Sequence, residues 1–349
     1  MKRTLVVLAV GLLASGLVAA PAEASSVKSG FLVSSQPAAV EVATFWLGDG
    51  GANLKNATPY NVQTAVDIVI PGGGVSSDAK PGTIPPSPPS TSGVANDKTP
   101  TTSGKVFFVG ADGQPHWCTG TAVQSQYRNL VATAGHCVYD TQRSAATLDK
   151  WVFVPGYSDG VTPLGLYVGK LVSTHYDFTI YDDYDRDYAF VNVYSGVVSS
   201  TSGELTNFGR LADNVGGQGL TWNQPLHSSV DVFGYPAGPH PDGERPYTGE
   251  TIESSSGRTT AAKVPRLKAE EFTAVESPFT GEGSLGSSWL LRYDNSSRMG
   301  YLNGITISVA DTDGNLRYDT SLSPYFDGEL GQVYTAATAQ WTGSLILPA

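Results

Sequence analysis

Residues 118–137 read Cys118-Thr-Gly-Thr-Ala-Val-Gln-Ser-Gln-Tyr-Arg-Asn-Leu-Val-Ala-Thr-Ala-Gly-His136-Cys137. Two short apolar runs flank a polar stretch, which predicts a hairpin whose ends carry the cysteines and one histidine. Cys118 and Cys137 are the only cysteines among 349 residues. In an oxidising compartment one bridge between them is the expected state. Closing a loop of this size contributes about 3 kcal/mol in the chain-entropy model, so the bridge is a staple on a large core rather than a disulfide framework.

Downstream and upstream of this stretch, short apolar runs alternate with turns. They lie at residues 105–118, with Asp112-Gly113 as a hairpin signal, then at 129–135, 150–157, 187–194, 229–238, 287–294 and 300–320. With 40 Gly, 22 Pro and 17 Tyr, the chain reads as all-β, and the spacing implies a sandwich or barrel. The 245 residues from Lys105 to Ala349 suit two packed six-stranded antiparallel barrels. One helix is expected near the end, over 327–339, with Leu330, Val333, Tyr334 and Ala337 on one face.

The N-terminal third divides differently. Residues 1–24 read as a secretory signal: Lys2 and Arg3, an apolar run to Ala20, then Ala22-Glu-Ala24 as a cleavage signal. Residues 25–80 form a pro-region or N-terminal extension with one expected strand at 65–70. Residues 81–104 are rich in Pro, Ser and Thr and predict an extended linker. The net charge of −11 and pI near 4.8 argue against a nucleic-acid partner, since a phosphate-binding surface needs clustered Lys and Arg. No later stretch has the roughly 20 apolar residues of a membrane helix. A secreted, monomeric protein with no membrane contact in its mature form is the expectation.

A serine nucleophile needs an imidazole to take its proton, and the imidazole needs a buried carboxylate. Ala132-Thr-Ala-Gly-His136-Cys137, with Cys118-Thr-Gly-Thr-Ala-Val before it, resembles the histidine segment of trypsin-like serine proteases. Asp187-Tyr-Ala-Phe-Val-Asn-Val resembles the family's Asp-x-Ala strand, and Gly234-Tyr-Pro236 its Gly-Tyr-Pro segment. The neighbouring Asp182, Asp183 and Asp185 read as acids of a solvated loop. The resemblance covers about residues 104–349 and is nearest to secreted bacterial peptidases of the glutamyl endopeptidase branch. It implies two packed barrels, a polypeptide substrate, no cofactor and no metal, with His136 and Asp187 in a catalytic triad.

The nucleophile segment, Thr280-Gly-Glu-Gly-Ser284-Leu285-Gly-Ser-Ser-Trp289, departs from the family pattern. Anchored on Thr280-Gly281, Ser284 is the nucleophile, Gly283 an oxyanion-hole residue, and Leu285 takes a glycine's place. Anchored on Trp289, Leu285 itself takes the nucleophile's place. Both registers stay open: one implies a secreted serine endopeptidase, the other an inactive protein that keeps the cleft for peptides or a protein partner. Ser255 and Ser277 occupy the places of the family's second disulfide. Asp311-Thr-Asp313-Gly314-Asn315 has its glycine too early for a calcium loop and reads as a hairpin turn.

Overall fold

Strands buried on both faces build the N-terminal half. The computed structural model describes residues 26–346 except 62–64, 68, 74, 76, 91–97 and 142–145; the expected signal segment lies outside them. Six strands close in the order Tyr167–His175, Asp149–Pro155, Ser103–Val109, Pro115–Val123, Leu130–Thr133 and Ala189–Val193, and the last pairs back onto the first. The Asp112-Gly113 turn joins two of them with Val106 opposite Cys118, and the 118–137 hairpin pairs Thr121 with Ala132. Val106, Phe108, Cys118, Val131, Phe153 and Phe190 are fully buried inside. Each large apolar side chain so buried contributes roughly 1.5–3 kcal/mol.

The expected second closed barrel is not what forms. The C-terminal half is a half-barrel of two sheets. One runs Glu253–Arg258, Ser229–Gly234, Ser288–Asp294, Met299–Ile305, Gly219–Trp222 and Gly82–Ile84; the other runs Ala65–Val66, Ser308–Ala310, Thr320–Pro324, Ala269–Glu276, Thr260–Val264 and Ile70–Pro71. No pairing joins them among the described residues. The physical reason lies at the edges. Three of the four end positions are taken by short strands from residues 65–84, which satisfy the edge amides and carbonyls that closure would otherwise pair.

Those short strands belong to an N-terminal segment that wraps the body. Val27–Phe31 pairs with the second half of Tyr167–His175. The helix Gln36–Leu47, capped by Ser35, buries Trp46, whose indole N–H donates to Lys150 O at 2.6 Å. Thr58–Pro59 lies parallel to Pro115–Val123. The Pro/Ser/Thr-rich stretch is docked rather than free where it is described: Gly82–Ile84 pairs with Gly219–Trp222, and Ser87 exchanges backbone bonds with Gly217. Backbone hydrogen bonding holds it there, which needs no apolar side chains.

The terminal helix forms over Gly328–Thr338, with Asp327 as N-cap and Leu330, Val333, Tyr334 and Ala337 buried as expected. Asp185, read as a solvated acid, is instead buried; its carboxylate accepts the amides of Glu270 and Glu271, both at 2.9 Å, and so ties the two halves together. Beside it Arg186 pairs with Glu271, Asp327 and Glu329.

Candidate active site

The strand Leu130–Thr133 ends in the tight turn Gly135–Cys137, which carries His136. Ala189 pairs with Thr133, so the chain just before the Ala189–Val193 strand comes back against that turn. This register sets Asp187 beside His136. Asp187 Oδ1 accepts the His136 amide at 2.9 Å, and Oδ2 takes a short hydrogen bond from His136 Nδ1. The carboxylate is fully buried and the imidazole nearly so. A buried carboxylate bonded to Nδ1 leaves Nε2 as the working nitrogen. Nε2 is buried and has no hydrogen-bond partner among the described residues. Cys137, the next residue, is bridged to Cys118, so the expected disulfide forms and pins the histidine turn to the Pro115–Val123 strand.

Ser284 does not complete this pair. Its hydroxyl is buried and directed at two carbonyls of its own turn, Thr280 O at 2.6 Å and Gly281 O at 3.0 Å. Among the described residues no Ser/His/Asp triad is assembled. The residue that meets the Pro115–Val123 strand, to which the histidine turn is bridged, is the next one. Leu285 O accepts the Thr119 amide at 2.8 Å, and Gly283 O accepts Thr119 Oγ1 at 2.9 Å. Gly283 and Gly286 have φ of +76° and +86°, whereas Leu285 does not adopt a positive φ. A Cβ on Gly286 would stand 1.9 Å from Thr119 O, so both conformation and space require glycine there. Among the described residues the Ser284 amide donates to Gly281 O, whereas the amides of Gly283 and Leu285 have no acceptor. Unpaired N–H groups in a turn are able to hold an anion.

Ser255 Oγ donates to Ser277 Oγ at 2.9 Å. A hydrogen bond thus stands where the resembling family has a second bridge. Tyr235 of the Gly-Tyr-Pro segment is buried and donates its amide to Thr119 Oγ1 at 3.0 Å. Sequence reading did not find Lys105. This lysine is 1% exposed, with its ammonium 3.7 Å from the Trp117 ring centre and 4.2 Å from that of Tyr157. Burial pushes it down to about 7, partly opposed by Glu250 and Asp159. Its only sequence signal was a charged residue inside an apolar alternation.

The carboxylates of Asp311, Asp313 and Asp319 converge. Asp311 accepts the amides of Gly314, Asn315 and Leu316, and Asp319 that of Thr312, so these carboxylates hold the turn. Among the described residues no helix is long and apolar enough to cross a membrane.

The chain is a chymotrypsin-fold member of the serine-protease-like superfamily. Two solved structures carry that likeness. The protease Anisep from Arthrobacter nicotinovorans is 26% identical, with 70% of this chain and 98% of the other covered and a TM-score of 0.56. A thermostable serine protease from an extremophilic microorganism is 25% identical, with 69% and 98% covered and a TM-score of 0.55. A Glu endopeptidase matches at 17% identity and a TM-score of 0.49, too distant to assign a branch. No protein-family model and no curated protein matches the chain.

Proposed function

We propose that this is a protease-fold protein that binds extended polypeptide without hydrolysing it, with Leu285 in the nucleophile's place. One observation carries the reading: the Ser284 hydroxyl bonds to Thr280 O and Gly281 O, while His136 Nε2 has no partner among the described residues. The glycine conformations at 283 and 286 support the same register. What the cleft keeps is the His136–Asp187 pair and the free amides of Gly283 and Leu285, groups able to hold a peptide carbonyl or carboxylate. Export through the 1–24 signal belongs to this proposal, and the Cys118–Cys137 bridge suits an oxidising compartment.

Retention of the His136–Asp187 pair favours a second reading, a serine endopeptidase working through Ser284, whose hydroxyl would have to rotate out of its turn. Fluorophosphonate labelling with peptide mapping of residues 277–292 separates the two. The binding reading expects no adduct on the wild type and an adduct at position 285 in Leu285→Ser. An adduct on Ser284 of the wild type overturns it.

A further inference from the structure

The turn at 283–286 is bounded by two strands that each carry an added strand from the N-terminal segment. On one side, Thr58 and Pro59 pair with His116 and Trp117, and the Tyr60 amide donates to Trp117 O at 2.9 Å. Trp117 precedes the bridged Cys118, and its ring would meet a Cβ on Gly283 at 2.3 Å. On the other side, Ala65 and Val66 pair with Val309 and Ala310. That strand follows Thr306, whose carbonyl accepts the Gly286 amide at 2.7 Å. Tyr60 and Ala65 are five positions apart, a reach of at most about 18 Å. The two covered edges therefore lie within that distance of each other, and each is joined to the turn, one through Trp117 at Gly283 and the other through Thr306 at Gly286.

Burial agrees with coverage. A cleft open to a ligand exposes its working nitrogen and the residue at the nucleophile's place. Here His136 is 5% and Leu285 0% exposed. Val66 is buried in the same apolar cluster as Leu285 and Ile307, and Tyr60 packs against that cluster and edge-on to Phe108 at 5.0 Å between ring centres. Thr58, Pro59 and Asn61 also line a cleft of about 580 Å³ with His116 and Glu282.

Both added strands run parallel to the edges they cover. Parallel pairing is slightly weaker per residue than antiparallel pairing, and each of these strands is two residues long. An extended polypeptide laid antiparallel on the same edges would hold more and better hydrogen bonds, the mode of binding called strand addition.

We propose that the N-terminal segment is an autoinhibitory occupant of the cleft: residues 58–60 and 65–66 cover the two edges flanking the 283–286 turn, and an incoming extended polypeptide displaces them. The polypeptide's identity as ligand rests on the function proposed above; the covering of His136 does not.

The test uses the full chain and diethyl pyrocarbonate, which modifies accessible imidazole, with the rate at His136 read by peptide mapping. Tyr60→Pro removes the donating amide, Val66→Asp puts a carboxylate in the apolar cluster, and Tyr60→Ala is a milder variant in case either fails to fold. Folded variants with the disulfide intact are expected to react at His136 at least tenfold faster than wild type. Phe31→Ala, an exposed position on another strand of the segment, should leave the rate unchanged. Equal rates in wild type and folded variants overturn the proposal. Anisotropy of fluorescein-labelled casein, read on the same proteins, then tests the ligand. Binding at least tenfold tighter in the variants supports displacement. Faster His136 modification with no casein binding leaves the occupant in place and overturns the polypeptide-binding reading instead.

Discussion

Thr119 and Leu285 are joined main chain to main chain, the amide of the first donating to the carbonyl of the second at 2.8 Å. This bond ties the turn of the C-terminal half to the residue beside Cys118 in the barrel. The Thr119 hydroxyl adds two more links, accepting the Tyr235 amide and donating to Gly283 O. Thr119→Val keeps the shape and removes the hydroxyl, leaving two buried polar groups without partners. Each costs about 1–3 kcal/mol, so the variant should lose about 2–6 kcal/mol in urea unfolding, with Thr119→Ser recovering most of it. A loss below 0.5 kcal/mol would show that the three-way junction does not hold the turn.

Asp187 orients His136 through two bonds, one to the amide and one to Nδ1. In the wild type the Ser284 hydroxyl is turned to Thr280 O and Gly281 O, so the pair's competence is read by supplying a serine at 285. In a Leu285→Ser background opened by Tyr60→Ala, fluorophosphonate labelling at position 285 is expected, and adding Asp187→Ala should slow it by roughly 10⁴, the scale seen when a triad carboxylate is altered. Equal labelling with and without Asp187 would mean that the carboxylate only holds the turn.

Ser255 and Ser277 face each other with their hydroxyl oxygens 2.9 Å apart, 22 positions apart in the chain. A disulfide needs its sulfurs at about 2.05 Å, with Cβ atoms close to 4 Å apart, so a small closing movement suffices. Ser255→Cys with Ser277→Cys should oxidise to a second bridge, detected as the absence of free thiols. It should add about 3 kcal/mol by the chain-entropy relation. Persistent free thiols under oxidising refolding would mean that the two strands cannot close.

Much of the barrel was legible because alternation and turn chemistry agree. Val106, Phe108 and Cys118 are inward-facing alternate residues around an Asp-Gly turn, and each is buried. The proximity of His136 and Asp187 was legible from local motifs. The orientation of Ser284 was not, since the turn that carries it is held by Thr119, more than 160 positions away. The half-barrel was hidden for a related reason: Ala65–Val66 and Ile70–Pro71 are two residues long, too short to show a period. Asp185 read as solvated because the amides that bury it belong to Glu270 and Glu271. The Gln36–Leu47 helix did carry a signal, Ser35 as N-cap with Pro37 in the first turn.

Lys105 makes stability depend on pH in a direction that can be worked out. Contacts with Trp117 and Tyr157 favour the charged form by about 2 kcal/mol or more. Removing an ammonium from water costs several kcal/mol, so burial wins and the folded state releases the proton near pH 7. The unfolded chain holds that proton up to about pH 10.5. Between those values the unfolded state binds more protons, so stability rises with pH; below about 7 both states are charged and this contribution is flat. At 1.36 kcal/mol per pH unit, the rise from pH 7 to 9.5 amounts to about 3 kcal/mol. Lys105→Met fills the same space without a charge. It should be more stable than wild type at pH 7 and lose this rise, so the difference between the two proteins shrinks as pH increases. Urea unfolding of both at pH 6, 7, 8 and 9.5 reads the difference directly. A difference that is constant across the range would show that Lys105 stays charged in the folded protein, held by Glu250, Asp159 and the rings around it.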